Sequence, residues 1–344
     1  MEVLVWVTAY NHEKYIEQCI RSIATQECSF DFKVAVYDDV STDQTRDILN
    51  DLYCIYSDRM ILVYPDQNMF SQGNYIYQWK RILDMEKAKY IAFCEGDDYW
   101  NDSNKLQMQY DIMEKNYQCS LCVHRVELYD EMKMEKVKTI PNFKWMGIQE
   151  GRNSSMYLIT KQLEYGNIFS ANSYFLRSEF FYNENFNNSY WNIGLGDFVI
   201  FMFQAIHGDV FVLESCMATK RINNIGALSY QAHYNQNYDI SKCVDNLKAE
   251  ILMFSEYNKM THGKYKIYIE NAIIYREIRL KYLLRGLEKE SGTVSQYTGQ
   301  LIKNKIQRKI DHIYIKCIKY IYSGNPAKFA LVINRKLKRA YKLC

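Results

Sequence analysis

Six acidic side chains mark the places where this chain could do chemistry. Glu95, Asp97 and Asp98 share one short turn in FCEGDDYW, Asp38 and Asp39 are paired in VYDDVSTDQT, and Asp197 precedes an apolar helical run. Hard oxygen ligands of this kind hold Mg²⁺ or Mn²⁺, and such an ion bridges to phosphate oxygens. Carboxylates alone would repel a diphosphate; a divalent cation reconciles the two, with Gly96 permitting the bend. An acidic turn can also do no more than cap the next helix. The second carboxylate pair, at a neighbouring strand end, weighs toward the metal. No GxGxxG follows a strand and no GxxxxGK[ST] occurs, so the Gly-rich phosphate cradles are absent.

Strands must deliver these groups. Val3-Leu4-Val5-Trp6-Val7 is a compact apolar run suited to a strand buried on both faces. Ile16, Ile20, Ile23 and Ala24 then recur at helical spacing, predicting a helix over 12–26. Lys33–Tyr37 reads as a second strand, followed by a helix to about Tyr53 capped by Ser41 or Thr42. Met60–Tyr64 and Tyr90–Cys94 read as strands flanking a helix over Tyr75–Lys87. Strands alternating with helices mean an α/β fold with a parallel sheet, which binds ligands beyond the carboxyl ends of its strands. Those ends carry Thr8, Tyr10 and Asn11, then Asp38-Asp39, then the acidic turn. From 104 to 235 the pattern is mixed: helices over Lys105–Asn116 and Asp197–His207, and strands around Ser120–Tyr129, Ser173–Leu176 and Val210–Leu213. Beyond 240 it is helical.

TAYNHEKYIEQCIRSIATQ, VYDDVSTDQT and FCEGDDYW, in this order and spacing, closely resemble the family 2 glycosyltransferases of GT-A fold. The resemblance covers residues 1 to about 235 and implies a Rossmann-like, mainly parallel sheet flanked by helices. It implies an inverting, metal-dependent enzyme that takes a nucleotide sugar, with a UDP-sugar favoured, in bacterial cell-surface polysaccharide synthesis. By position, Thr8, Tyr10, Asn11, Asp38 and Asp39 would hold the base and ribose, and Asn68 and Asn74 would border the nucleotide. Glu95 would sit near the ribose or metal, Asp97 would bind Mn²⁺ or Mg²⁺ with help from Asp98, and Asp197 would be the catalytic base. A carboxylate at a helix N-terminus is stabilised as the anion, which suits that role; a plain N-cap uses the same residue. In KRINNIGALS the resemblance keeps Arg221, to face the pyrophosphate, and lacks the usual Tyr and His. Sugars stack on aromatic rings, so Tyr99, Trp100 and Trp191 are candidate platforms among aromatics that otherwise read as core. His124, alone in CSLCVHRVELYD, reads more readily as a core or surface residue than as a catalyst.

Charge divides the chain. Residues 301–344 carry 12 Lys and Arg against one acid, a net of +11, which leaves 31 basic and 39 acidic residues, −8, in the first 300. Ile302, Ile306, Ile310, Ile313, Cys317 and Ile321 form an apolar stripe, and a second helix follows Pro326. Basic amphipathic helices of this kind lie on anionic membranes or pack on the body with their lysines outward. No nucleic-acid-binding signature accompanies the charge. The reading is therefore two regions, 1–235 catalytic and 236–344 helical and basic, at the cytoplasmic face of the plasma membrane with a glycan or lipid-linked acceptor. Ten scattered Cys fit free thiols, strand-like sequence from Val3 leaves no room for a signal peptide, and no apolar run reaches membrane-spanning length. Two other readings share this sheet. A nucleotidyltransferase would need a basic Gly-rich loop that TAYNHE does not offer, and a non-catalytic nucleotide-sugar-binding scaffold would not need all of these carboxylates.

Overall fold

A computed structural model describes residues 1–68, 75–182, 190–191, 196–224 and 240–290. The first half is the expected alternation: β1 (Val3–Ala9), α1 (Ile16–Ala24), β2 (Phe32–Asp38), α2 (Thr45–Tyr56), β3 (Met60–Val63), α3 (Tyr75–Glu86) and β4 (Tyr90–Glu95). β1 lies between β2 and β4, all parallel, and β3 extends the sheet beside β2. Buried from Val3 to Val7, β1 has no polar face because helices cover both sides of such a sheet. α1 supplies one cover, burying Ile16, Cys19, Ile20, Ile23 and Ala24 on the sheet.

Two helices start later than their sequence pattern predicts, for the same reason. The residues ahead of them are taken by a lacework between the loops after β1 and β2. The backbone N–H of His12 donates to Thr45 Oγ1 at 2.8 Å, that of Glu13 to Asp43 Oδ2 at 3.1 Å, and that of Thr42 to Asn11 Oδ1 at 2.8 Å. Ser41 gives its hydroxyl to Asp38 instead of capping α2, whose first N–H goes to Asp43 Oδ1.

The second half continues with β5 (Tyr99–Trp100), α4 (Lys105–Lys115), β6 (Cys119–Asp130), β7 (Glu135–Ile140), α5 (Phe143–Met146), β8 (Gly151–Asn153), α6 (Ser155–Tyr165), β9 (Phe175–Arg177), α7 (Glu179–Tyr182), α8 (Gly196–Ala205) and β10 (Asp209–Ile222). The order across the sheet is β3-β2-β1-β4-β9-β6-β10-β5. β9 is antiparallel to both β4 and β6, whereas β6 and β10 form a long parallel ladder, so the sheet is mixed with its longest ladders parallel. β10 runs to Ile222, well past the Leu213 end read from its apolar core, because β6 accompanies it to Asp130. β5, β7 and β8 carry no clear alternation and exist through their partners, β10 and β6.

Contacts divide the chain into two compact units, Met1–Asp239 with Leu252–Ile269, and Ile240–Ile251 with Glu270 onward. In the first, Tyr257 donates its hydroxyl to Met202 O of α8. In the second, Arg276 pairs with Glu250 at 2.7 Å. The helices Ile240–Met260 and Lys266–Glu290 agree with the helical reading beyond 240 as far as residue 290. Among the described residues no helix is long and apolar enough to cross a membrane. The basic stretch 301–344 lies outside them.

Ile20 is fully buried between α1 and the sheet. Ile20→Ala is expected to lower stability by about 2–4 kcal/mol in chemical denaturation, and a loss below about 1 kcal/mol would contradict this packing.

Candidate functional site

β4 ends at Glu95 beside Thr8 of β1, and the chain turns there. Gly96 donates its N–H to Thr8 O at 2.8 Å, and Asp98 closes the turn on Glu95 O at 2.9 Å. A Cβ at residue 96 would sit 2.9 Å from Thr8 O and 2.7 Å from His12 Nδ1, so the close approach of two strands requires glycine. The turn brings ligand oxygens of Glu95, Asp97 and Asp98 within 4.8 Å of one another.

Each of the two aspartates is held by a buried asparagine. Asn172 donates to Asp98 Oδ2 at 3.1 Å and Asn224 to Asp97 Oδ2 at 2.8 Å. The Oδ1 atoms of both asparagines are buried without a hydrogen-bond partner. An all-oxygen cluster with orphaned amide oxygens beside it fits a hard divalent cation. Asp98, fully buried, also accepts the Arg221 N–H at 2.8 Å. Burial pushes its pKa well up, with Asp97 and Glu95 adding to the effect and Lys220 opposing it.

β10 presents two neighbouring cations to this turn in different ways. Arg221 is buried: its guanidinium donates to Asp97 O at 2.5 Å and to Gln18 Oε1, pairs with Glu131 at 2.7 Å, and lies between the rings of Tyr15 and Tyr99. Its donors are thus committed within the protein. Lys220 reaches Glu95 Oε2 at 2.6 Å and faces Asp98 and Asp197 electrostatically. The strand alternation that separates these two side chains was the available signal for the difference.

Asp197 stands at the start of α8, a helix buried along almost its whole length. Its Oδ1 accepts the N–H of Phe198 at 2.9 Å and its Oδ2 the amide of Asn167 at 2.5 Å. Asn167 was not singled out in the sequence. Gln162 and Tyr174 both donate to its Oδ1, at 2.9 and 3.4 Å, which turns its NH₂ toward Asp197. Burial raises the Asp197 pKa to about 6, Glu95 adding to the rise while Lys220, Asn167 and the Phe198 N–H restrain it. A carboxyl poised near neutrality suits a general base.

The proposed nucleotide side lies at the β1 and β2 ends. Tyr10 is 48% exposed, and Asn11, at φ +56°, is locked between Ser41 and Thr42. Asp38 is buried and turned inward, accepting Arg46 Nε and Nη2 on Oδ2 at 3.1 and 3.0 Å and the Ser41 hydroxyl on Oδ1. Asp39 accepts the Tyr37 hydroxyl at 3.0 Å, and Asn68 reaches its backbone oxygen at 2.9 Å. Asn74 lies outside the described residues. Two aromatic candidates are corrected: Trp100 is 3% exposed under Lys105, whose Nζ sits 3.9 Å from its ring, and Trp191 is 2% exposed among Phe181, Phe203 and Tyr190. Neither presents a face to a sugar, and of the three only Tyr99 remains partly exposed. His124 is a core residue, its Nδ1–H bonded to Arg125 O and its pKa lowered by burial and by Lys105.

Parallel strand ends that carry an acidic turn, with a carboxylate at the start of a buried helix joined to it electrostatically, have the layout of a GT-A glycosyltransferase. Residues 4–184 match the model of glycosyl transferase family 2, and the chain belongs to that family. It is 32% identical over 111 residues to the putative teichuronic acid biosynthesis glycosyltransferase TuaG of Bacillus subtilis, a match covering 32% of this chain and 41% of that one. The chain spans 34% of the length of a related Mycobacterium tuberculosis protein and 12% of that of the chondroitin synthase of Pasteurella multocida. Among solved structures it resembles S. aureus TarS 1–349 in complex with UDP-GlcNAc, with a TM-score of 0.54 at 16% identity over 81% of this chain and 73% of that one. The mannosyltransferase PcManGT of Pyrobaculum calidifontis, in complex with GDP-Man and Mn²⁺, gives 0.50 at 12% identity over 89% and 80%.

Gly96→Ala forces the turn away from Thr8 O, and overpacking of this kind costs about 1–3 kcal/mol. Thermal unfolding should report a lowered midpoint; an unchanged midpoint would contradict the close approach.

Proposed function

We propose that this chain transfers a sugar, with inversion, from a nucleotide-diphosphate donor to a hydroxyl of a glycan or lipid-linked acceptor. Residues 1–235 form the catalytic domain in this reading. The observation that carries it is the placement of Asp197, raised toward neutrality and positioned by Asn167, within electrostatic reach of the acidic turn through Lys220 and Glu95. Asp197 takes the acceptor proton as the acceptor oxygen bonds to the anomeric carbon and the bond from that carbon to the phosphate oxygen breaks, the electron pair leaving with the nucleoside diphosphate. Asp97, with Asp98 or Glu95, would hold Mg²⁺ or Mn²⁺, which when bound neutralises charge on the departing diphosphate. Tyr10, Asn11, Asp39 and Asn68 line the nucleotide side, Asp38 acting by fixing the loop through Ser41 and Arg46.

TarS with UDP-GlcNAc and PcManGT with GDP-Man and Mn²⁺ support a nucleotide-diphosphate sugar and a metal. We favour a UDP-sugar. TuaG, by its name, supports a role in cell-surface polysaccharide synthesis. The basic stretch 301–344 suits an anionic inner-membrane surface.

Screening nucleotide sugars for Mn²⁺-dependent protection against thermal unfolding identifies the donor, and complete silence would count against nucleotide-sugar binding. With the donor in hand, Asp197→Asn should cut transfer by about 10²–10⁴-fold with the fold intact; Asp97→Asn should also abolish metal-dependent transfer. Unchanged transfer in either variant contradicts the mechanism. Because the base must be ionised and its pKa is raised to about 6, kcat/KM should fall as pH drops through about 6 and stay level just above it. An acid limb near pH 4 would contradict the raised pKa of Asp197. For the membrane, a chain ending at residue 300 should lose co-sedimentation with phosphatidylglycerol vesicles that the full chain retains; equal binding by both removes the tail from that role.

A further inference from the structure

The acidic turn already has a cation of its own. Lys220 Nζ lies 2.6 Å from Glu95 Oε2, and its side chain remains about a quarter exposed, at 28%. Asp98 and Asp197 add further negative charge around it. Arg221 cannot exchange with it, being closed off by Glu131, Asp97 O and Gln18. Asp97 and Asp98 are instead held by neutral amides of Asn224 and Asn172. One ammonium therefore sits against one ligand of a three-carboxylate cluster whose oxygens lie within 4.8 Å of each other. A divalent ion among those oxygens must approach that ammonium closely.

We propose that Lys220 is a resident counter-cation of the acidic turn: it holds Glu95 in the metal-free protein and repels a free divalent ion, so that the ion binds well only together with a diphosphate. This rests on reading the turn as the metal site. The diphosphate supplies the negative charge that offsets the ammonium, and Lys220, released from Glu95, turns its ammonium to the same phosphates. Metal and diphosphate then strengthen each other's binding by one coupling factor, as linkage requires. A point charge a few ångströms from an ion at a protein surface shifts affinity by roughly tenfold or more, so removing the charge has a readable effect. Lys220 thus acts on both metal entry and diphosphate binding.

The test uses the full chain and Mn²⁺ alone, following free Mn²⁺ by electron paramagnetic resonance, then repeats the titration with UDP. Lys220→Met and Lys220→Gln should each bind Mn²⁺ alone roughly tenfold or more tightly than wild type, and UDP should improve their affinity less than it improves that of wild type. Lys220→Arg, which keeps the charge, should stay close to wild type. Circular dichroism melts confirm that each variant folds, and two neutral replacements guard against one that does not. Neutral variants that bind Mn²⁺ no more tightly than wild type, or that gain as much from UDP, overturn the proposal. Asp97→Asn separates the two levels. If it leaves Mn²⁺ binding unchanged, the metal-site reading fails; if it abolishes binding while the Lys220 variants match wild type, only the role of Lys220 fails.

Discussion

Three carboxylates on one four-residue turn repel one another, and the site is organised around containing that repulsion. Glu95 is paired with an ammonium, Asp97 and Asp98 are held by buried amides, and Asp98 also takes a backbone N–H from β10. Uncompensated charges at this spacing in a half-buried position would protonate or unfold the turn. The compensation is incomplete by design of the fold: orphaned amide oxygens and crowded acidic groups leave room for a further cation. The same charges reach Asp197, so the proposed base and the acidic turn are parts of one electrostatic system.

Arg221 binds that system to the scaffold. Its guanidinium joins α1 through Gln18, the acidic turn through Asp97 O, and the end of β6 through Glu131, with the ring centres of Tyr15 and Tyr99 4.9 and 4.7 Å from its Cζ. Planar, permanently charged and rich in donors, it suits a buried junction in a way that lysine would not. Lys220, one residue earlier, has the opposite fate because a strand alternates its side chains. A charged pair that looks redundant in sequence thus divides into a buried clamp and a partly exposed cation paired with Glu95.

Much of the fold was legible in the sequence. β1, β2 and β4 are apolar runs with polar residues at their carboxyl ends, so the parallel sheet and the positions of Thr8, Asp38 and Glu95 follow from local pattern. What local pattern could not supply depends on distant partners. β10 reaches Lys220 only because β6 runs beside it, α2 starts late because Ser41 is drawn to Asp38, and Trp100 is covered by Lys105. Asn167 carried no signal at all: a single asparagine after a glycine becomes a partner of Asp197 only once α6, β9 and α8 have packed. Family resemblance implied that Arg221 faces the pyrophosphate, whereas its guanidinium is taken up by Asp97 O, Gln18 and Glu131.

The central claim is that the acidic turn is the place where metal and diphosphate meet, with Asp197 on the acceptor side. Crystals grown with Mn²⁺ and UDP, measured for the anomalous signal of manganese, test it most directly. One ion bound by Asp97 and by diphosphate oxygens is expected, with the uridine lying along Tyr10 and Asn11. An ion bound away from the turn, or a diphosphate seated elsewhere on the chain, would contradict it.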